Sequence, residues 1–367
     1  MEYDEPLFFR VISYAEQTDR DVVDMVSGNP DWGAPPAISQ GLEEYASLGG
    51  TDYQYPPAKG LPELRRAIAK DRGVDRDQVV VTNGAGEANY LGMALALDRH
   101  SGSEVVLTDP VYPYYPGKTS MLGGEQVFVE TKPDGSLEPD AVRKVAGPDT
   151  ACIVVNTPNN PTGAVYSRET MEELVRIAET QDALLVSDEV YDRFDHSGAF
   201  ASALSVESPH RIVTGSLSKT FAITGFRVGY AIASSEHVDA IRTRHMLTNV
   251  TGSRPAQYAV LRAMKETPAE YYRRNRRLVQ DRIDTFTGAL EEIGAPYLEP
   301  DGAFYVMARI PGMDGTLENA FHMIDEAGVA GMPGESFGTA RDRWFRFALV
   351  TPRVEEAADR LIAFVEG

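Results

Sequence analysis

Arg211-Ile212-Val213-Thr214-Gly215-Ser216-Leu217-Ser218-Lys219-Thr220-Phe221-Ala222-Ile223-Thr224-Gly225-Phe226-Arg227-Val228-Gly229-Tyr230-Ala231-Ile232-Ala233 sets one lysine between two apolar runs of strand length. The runs Arg211–Gly215 and Val228–Ala233 predict strands, and the residues between them predict a loop. Lys219 stands there among small and hydroxyl residues, eight positions before an arginine flanked by Gly225 and Gly229. A lysine that forms a Schiff base must sit where a carbonyl reaches it and where its charged form is disfavoured. Ser216, Ser218 and Arg227 supply the donors that a phosphate needs. The alternative is a surface turn carrying a solvated lysine.

Outward from this stretch the same alternation continues. Further strands are predicted at Gln78–Thr82, Glu104–Thr108, Glu125–Glu130, Ala151–Asn156 and Ala183–Asp188, with amphipathic helical segments such as Glu87–Asp98, Pro139–Val145 and Arg168–Gln181 between them. Strands alternating with helices predict an α/β domain whose mostly parallel, seven-stranded sheet lies between helices. After about Val250 the pattern changes to a long charged helix (Pro268–Ile293), strands at Ala303–Ile310 and Trp344–Val350, and helices at Leu317–Ala327 and Val354–Phe364. This predicts a smaller α+β domain. The division expected is an N-terminal segment at 1–35, a large domain at 36–250, and a bridging helix with a small domain at 251–367.

Composition narrows the partners. Among 367 residues, 55 are acidic and 35 basic, for a net charge of −20. That balance argues against nucleic acid and anionic membrane as partners. Seven lysines against 28 arginines leave few rivals for the role of Lys219. A carboxylate-rich, lysine-poor surface resembles that of proteins from salt-loving archaea, with an ordinary acidic cytosolic enzyme as the alternative. No apolar run reaches membrane-spanning length. Met1-Glu2-Tyr3-Asp4-Glu5 lacks the basic and apolar regions of a signal peptide. The single cysteine, Cys152, excludes an internal disulfide. A cytoplasmic protein is the expectation.

Five further clues fall at strand ends, where open α/β sheets bind ligands. Thr82-Asn83-Gly84-Ala85-Gly86-Glu87 joins a strand to a helix through small residues, which lets backbone N–H groups approach an anion. Taken alone, it is also an ordinary glycine turn. Asn156-Thr157-Pro158-Asn159-Asn160-Pro161-Thr162-Gly163 follows a strand, and an asparagine amide there suits a phenolate oxygen, although turn formers alone would give the same composition. Asp188-Glu189-Val190-Tyr191 closes another strand. A carboxylate at that position can pair with a protonated pyridine nitrogen, and Tyr191 can donate to the ring oxygen beside the Schiff base. A metal at Asp188 and Glu189 is the rival, but no histidine lies at ligand spacing. Tyr112, in Pro110-Val111-Tyr112-Pro113-Tyr114-Tyr115, offers a ring to stack on a flat heterocycle, or else part of a packed aromatic corner. Arg346 lies inside the apolar strand Trp344-Phe345-Arg346-Phe347-Ala348, where it needs an anion: a substrate carboxylate or an internal salt bridge.

In this order and combination the motifs resemble the class I/II aminotransferases, the aspartate-aminotransferase-like group of fold-type-I pyridoxal-phosphate enzymes. The resemblance runs from Gly28-Asn29-Pro30-Asp31 through Tyr55-Pro56-Pro57-Ala58-Lys59-Gly60-Leu61 to the C-terminal helix. It implies pyridoxal 5'-phosphate held through Lys219, Asp188 against the ring nitrogen, and Tyr191 and Asn160 at the ring oxygen. Tyr112 is similar to the stacking aromatic. Ala85, Gly86, Ser216, Ser218 and Arg227 resemble the phosphate cup, with Tyr55 reaching the phosphate of a neighbouring subunit in a homodimer. Arg346 and the backbone at Gly28 look like the holders of the substrate α-carboxylate. For a second arginine reading a side-chain carboxylate, Arg242, Arg244 and Arg254 are candidates and Arg244 is preferred. Gly86 departs from the larger polar residue of many relatives, and the N-terminal arm is short.

The implied activity is ping-pong transamination between an L-amino acid and a 2-oxo acid such as 2-oxoglutarate. A C–S β-lyase or an amino-acid decarboxylase would need the same cofactor residues. A non-catalytic regulator built on this scaffold would carry an added basic DNA-binding domain, which the acidic composition does not suggest. The motifs leave the amino donor open.

Overall fold

The computed structural model describes residues 6–367, so the acidic Met1–Glu5 segment read against a signal peptide lies outside the described residues. Seven strands form one sheet. Their spatial order is Val79–Thr82, Gly229–Ala233, Arg211–Ser216, Leu184–Asp188, Thr150–Asn156, Glu104–Asp109 and Glu125–Glu130. Gly229–Ala233 runs antiparallel to both of its neighbours, and every other pairing is parallel. Each expected strand is present, within two residues of the expected ends at either side.

Runs such as Thr150–Asn156 and Leu184–Asp188 are buried at every position because apolar cores cover both faces of the sheet. Alternate residues divide between these cores. Val81, Ile153, Val155, Leu185 and Val213 face one of them, with Leu64 and Ile68 of helix Pro62–Arg72 and Met171 and Leu174 of helix Arg168–Thr180. Val80, Val105, Val154, Val186 and Ile212 face the other, with Leu91 and Met93 of helix Ala85–Arg99 and Ile241 of helix Val238–Asn249. Cys152 belongs to this second core, fully buried and unpaired, and burial holds its thiol neutral well above the usual range.

A second layer is built from both ends of the chain. Met332–Pro333, Phe345–Ala348 and Tyr305–Ala308 form a three-stranded antiparallel sheet. The strands are shorter than their apolar runs suggest, and Ala303 already has a positive φ of 59°. Helix Leu7–Gln17 packs on helix Leu317–Ala327, with the rings of Tyr14 and Phe321 stacked at 4.0 Å. Val23 and Asp24 pair in parallel with Val329 and Ala330. The N-terminal segment is therefore zipped to the C-terminal layer by a ladder too short to show a period. Helix Arg254–Glu266, expected with the C-terminal portion, packs along Pro36–Ala46, where Gly41 lets the two backbones meet at Ala259. The 24-residue helix Ala269–Glu292 then runs beside the last helix, Val354–Glu366.

One buried ion pair fixes the end of the central strand. Arg72, at the last turn of its helix, pairs with Glu189 and with Asp192 at 2.6 Å, and donates to Ser202 at 3.1 Å. Burial disfavours its charge, but Tyr230, Glu189 and Asp192 together raise the guanidinium pKa. Arg72→Met would leave the Glu189 carboxylate in the core without its cation, at a cost of about 3–5 kcal/mol. Urea unfolding should show that loss, and Arg72→Met with Glu189→Gln should recover part of it. A single variant as stable as the parent would show that the pair does not anchor this strand.

Candidate active site

The parallel strands end along one edge, and their register sets Asn156 beside Asp188 and Asp188 beside Thr214. A cavity of about 1390 Å³ opens there, roofed by Gly28 and Asn29 from the N-terminal segment and by Arg346 from the small sheet. Lys219, Asp188, Tyr191, Asn160, Tyr112, Ala85, Gly86, Ser216, Ser218, Arg227, Gly28 and Arg346 all line it. The structure thus brings together twelve sequence candidates drawn from positions 28 to 346.

Asp188 is buried at the cavity floor. One carboxylate oxygen accepts from Asn89 Nδ2 and Tyr115 Oη, each at 2.6 Å, and the other accepts from the Val190 N–H at 3.2 Å. Thr214 Oγ1 donates to Asn89 Oδ1 at 2.5 Å, which fixes the amide so that its NH₂ faces the carboxylate. Burial raises the Asp188 pKa, while the bonds from Tyr115 and Asn89 and the charge of Lys118 act in the opposite direction. Glu189 turns away to Arg72, so the two adjacent carboxylates do not converge as a metal pair.

Asn156 organises the neighbouring loop. Its Nδ2 donates to the Asp188 carbonyl at 2.9 Å, and its Oδ1 accepts from the Asn160 N–H at 2.7 Å. Asn159 Oδ1 accepts from the Thr162 N–H at 3.0 Å and from Thr162 Oγ1 at 2.9 Å. The loop's asparagines are therefore committed to shaping it, and Asn160 is left projecting into the cavity. There its Oδ1 accepts from Arg346 Nη1 at 3.2 Å.

Arg346 is 5% exposed and also donates to the Val26 carbonyl. Its guanidinium lies 4.5 Å from the ring centre of Tyr305 and 5.3 Å from that of Phe337. Among the described residues it has no carboxylate partner, and its Nε is buried without any hydrogen bond. The internal salt bridge, one of the two readings of Arg346, thus has no carboxylate among the described residues to form it. A cation so enclosed, with an orphaned donor, fits an anion brought by a ligand.

At the other end, helix Ala85–Arg99 begins after Gly84, whose φ is 78°. A side chain on Gly84 would collide with the Arg227 guanidinium, and one on Gly229 would collide with the Gly84–Ala85 backbone. Arg227 reaches this position from a left-handed backbone conformation, φ 53°. Ser216 Oγ accepts from the Ser218 N–H at 3.0 Å, whereas Ser218 Oγ is buried with no partner. A helix N-terminus, an arginine and an unpartnered hydroxyl form a cradle for a phosphate. Gly86 contributes backbone only, as its sequence suggests.

Lys219 lies between the two ends, half-buried, with Nζ donating to the Gly28 carbonyl at 2.5 Å. Burial first, then the charges of Arg346 and Arg227, lower its pKa to about 8, with Asp188 opposing. Tyr191 Oη meets Tyr305 Oη at 2.9 Å. Tyr112 sits at the wall with Tyr115 edge-on, ring centres 5.5 Å apart. The set fits pyridoxal phosphate: an anion cradle, an amine made partly neutral near the centre, and a buried carboxylate at the floor.

Four candidates lie elsewhere. Arg244 does not reach the cavity; its helix carries it to Asp98, with which it pairs, so the preferred reader of a second carboxylate is already committed within this chain. Arg242 and Arg254 face Asp239 and Asp52 in the same way. Tyr55 is 80% exposed and off this chain's cavity.

The sequence reading passed over four cavity residues. Asn89 had a signal, an amide on the apolar face of a helix, where it needs a partner. Tyr115 was within view as part of a tyrosine cluster, but not as a donor to Asp188. Tyr305 had only a hydroxyl in an apolar strand. Lys118 is a second lysine in the cavity, also lowered to about 8 by burial with Asp188 opposing, and its ammonium lies 5.5 Å from the Tyr114 ring centre.

The chain matches the family described as aminotransferase class I and II over residues 20–361. It is 33% identical over 350 residues to the aspartate/prephenate aminotransferase of Thermus thermophilus, covering 93% of this chain and 90% of that one. It is 32% identical to aromatic-amino-acid aminotransferase 2 of Thermococcus litoralis, again over 93% and 90%. The crystal structure of the aspartate aminotransferase of Thermotoga maritima superposes with a TM-score of 0.91 at 29% identity, over 99% of this chain and 98% of that one.

The lowered pKa of Lys219 makes a measurable claim about the cofactor-free protein. Acylation of Lys219 by an amine-selective reagent, followed by peptide mass spectrometry, should be half-maximal at about pH 8 rather than near the ordinary 10.5. Arg346→Met removes a neighbouring positive charge and should move that midpoint upward. A midpoint near 10.5 in the parent would mean that the amine is neither desolvated nor crowded by cations.

Proposed function

The chain belongs to the class I and II aminotransferases and is a pyridoxal-phosphate-dependent transaminase, and on that premise we propose which of its residues carry the reaction. It moves the amino group of an L-amino acid to a 2-oxo acid in a ping-pong sequence, and 2-oxoglutarate is the acceptor we propose. The single observation behind the assignment is Lys219: an amine held partly neutral at about pH 8 between a buried arginine that lacks an anion and a buried carboxylate.

Bound in this cavity, pyridoxal phosphate supplies a carbonyl for amine capture and a ring that withdraws electrons. Ser216, Ser218, Arg227 and the N–H groups at Ala85 and Gly86 hold its phosphate. Asp188, fixed by Asn89 and Tyr115, would hold the protonated ring nitrogen. Tyr191 and Asn160 would donate to the ring oxygen, and Tyr112 would stack on the ring. Arg346 binds the substrate α-carboxylate beside Gly28 and so aims the α-carbon at Lys219. Lys219 takes the α-proton as general base, for which a pKa near the working pH is favourable.

The assembly we propose is a homodimer, with Tyr55 completing the phosphate site of its partner. It is supported by the exposed apolar group Tyr53, Tyr55, Met246, Leu247 and Val250, of which Leu247 is 84% exposed. No described helix is long and apolar enough to cross a membrane. The acidic, lysine-poor composition supports a cytoplasmic, salt-requiring enzyme, because salt screens the self-repulsion of a −20 chain.

The protein, purified in high salt and loaded with cofactor, should lose its visible band when single L-amino acids are added without an acceptor. Release of pyruvate and ammonia under those conditions would indicate the lyase instead. Lys219→Ala should retain the cofactor noncovalently but lose turnover by about 10³-fold or more. Arg346→Leu should raise KM for the amino acid by about 10–100-fold, the worth of one or two charge-assisted hydrogen bonds. Normal turnover in Lys219→Ala would remove that residue from the mechanism.

A further inference from the structure

Tyr305 belongs to neither the cofactor set nor the substrate set described above, yet it touches both. It lies within strand Tyr305–Ala308 and is 2% exposed. Its ring lies 4.5 Å from the Arg346 guanidinium, and its hydroxyl is 2.9 Å from that of Tyr191. The two phenol rings stand edge-on at 89°. Gly28 is shaped to this arrangement, since a side chain there would fall on the Tyr305 hydroxyl.

Phenylalanine would fill the same space, so the hydroxyl needs a reason. A buried hydroxyl is costly unless it is hydrogen-bonded. Among the described residues, Tyr191 is the one hydrogen-bond partner of Tyr305, and Tyr305 is the one partner of the Tyr191 hydroxyl. The guanidinium against the Tyr305 ring draws electron density from it and makes its O–H the better donor of the two. Donation from Tyr305 to the Tyr191 oxygen leaves the Tyr191 hydrogen free to point into the cavity. It also strengthens Tyr191 as a donor, because linked hydrogen bonds polarise one another.

We infer that Tyr305 is a positioning residue that aims and polarises the Tyr191 hydroxyl toward the ring oxygen of the bound cofactor. The inference rests on the transaminase reading. Its sign follows from charge: a strong donor at the ring oxygen stabilises negative charge there and lowers the proton affinity of the adjoining imine nitrogen. Loss of the Tyr305 hydroxyl therefore raises the pH at which the visible band changes form.

The experiment is a double-mutant cycle on cofactor-loaded protein, comparing the parent, Tyr305→Phe, Tyr191→Phe and the double variant by the pH midpoint of the visible band. The charged groups facing these phenols, Asp188, Lys219 and Arg346, are the same in all four. Tyr305→Phe should raise the midpoint by about 0.5–1 pH unit and Tyr191→Phe by more, and the double variant should equal Tyr191→Phe. In steady state, Tyr305→Phe should lower kcat about 3–10-fold with KM little changed. If Tyr305→Phe does not fold, Tyr305→Met removes the same hydroxyl and serves in its place. An unmoved midpoint, or an equal rise with and without the Tyr191 hydroxyl, would overturn the inference. A parent protein that forms no visible band with pyridoxal phosphate would instead overturn the transaminase reading.

Discussion

A carboxylate buried at the end of a central strand constrains everything built around it. Asp188 is enclosed on every side, so its charge must be met by donors from other elements. Asn89 comes from the helix that opens the phosphate cradle, and Tyr115 comes from the segment that supplies the wall tyrosine. Thr214 orients Asn89 from the strand that leads to Lys219, and Asn156 braces the Asp188 backbone while setting Asn160. Each contact that satisfies the carboxylate also locates a part of the site. Burial raises its pKa, and the hydrogen bonds from Tyr115, Asn89 and the Val190 N–H act against that rise.

The same logic explains how the cavity handles positive charge. Lys219, Arg227 and Arg346 converge on one space, where burial and the two guanidinium charges both disfavour a charged Lys219. A lysine gives up its proton far more readily than an arginine, so the lysine is the group that yields. In a chain with 28 arginines and seven lysines, the choice of residue separates permanent cations from the one that must release its proton.

Much of this was legible in the residues because strand periodicity and loop chemistry are local. The inner strands follow from β-branched runs buried on both faces, and Lys219, Asp188 and Asn160 each close or follow such a run. Contacts made by single residues across long sequence distances were not legible. Asn89 serves Asp188 from 99 positions away and Tyr115 from 73, and no pattern within either helix names that partner. Tyr305 hides in an apolar strand for the same reason. Three arginines share the neighbourhood of Arg244, and only the helix phase shows that its side chain meets Asp98.

The two-residue ladder between Val23 and Val329 gives the molecule a temporal character. A chain made from its N-terminus releases Gly28 early and Lys219 in mid-synthesis, but the strand that holds the Gly28 segment in place emerges some three hundred residues after Val23. Until then the sheet can form and the lysine can lie between its strands, while the roof above it has nothing to grip. The stretch from Val329 to Arg346 is the clasp of that roof, pairing with Val23 and donating to the Val26 carbonyl.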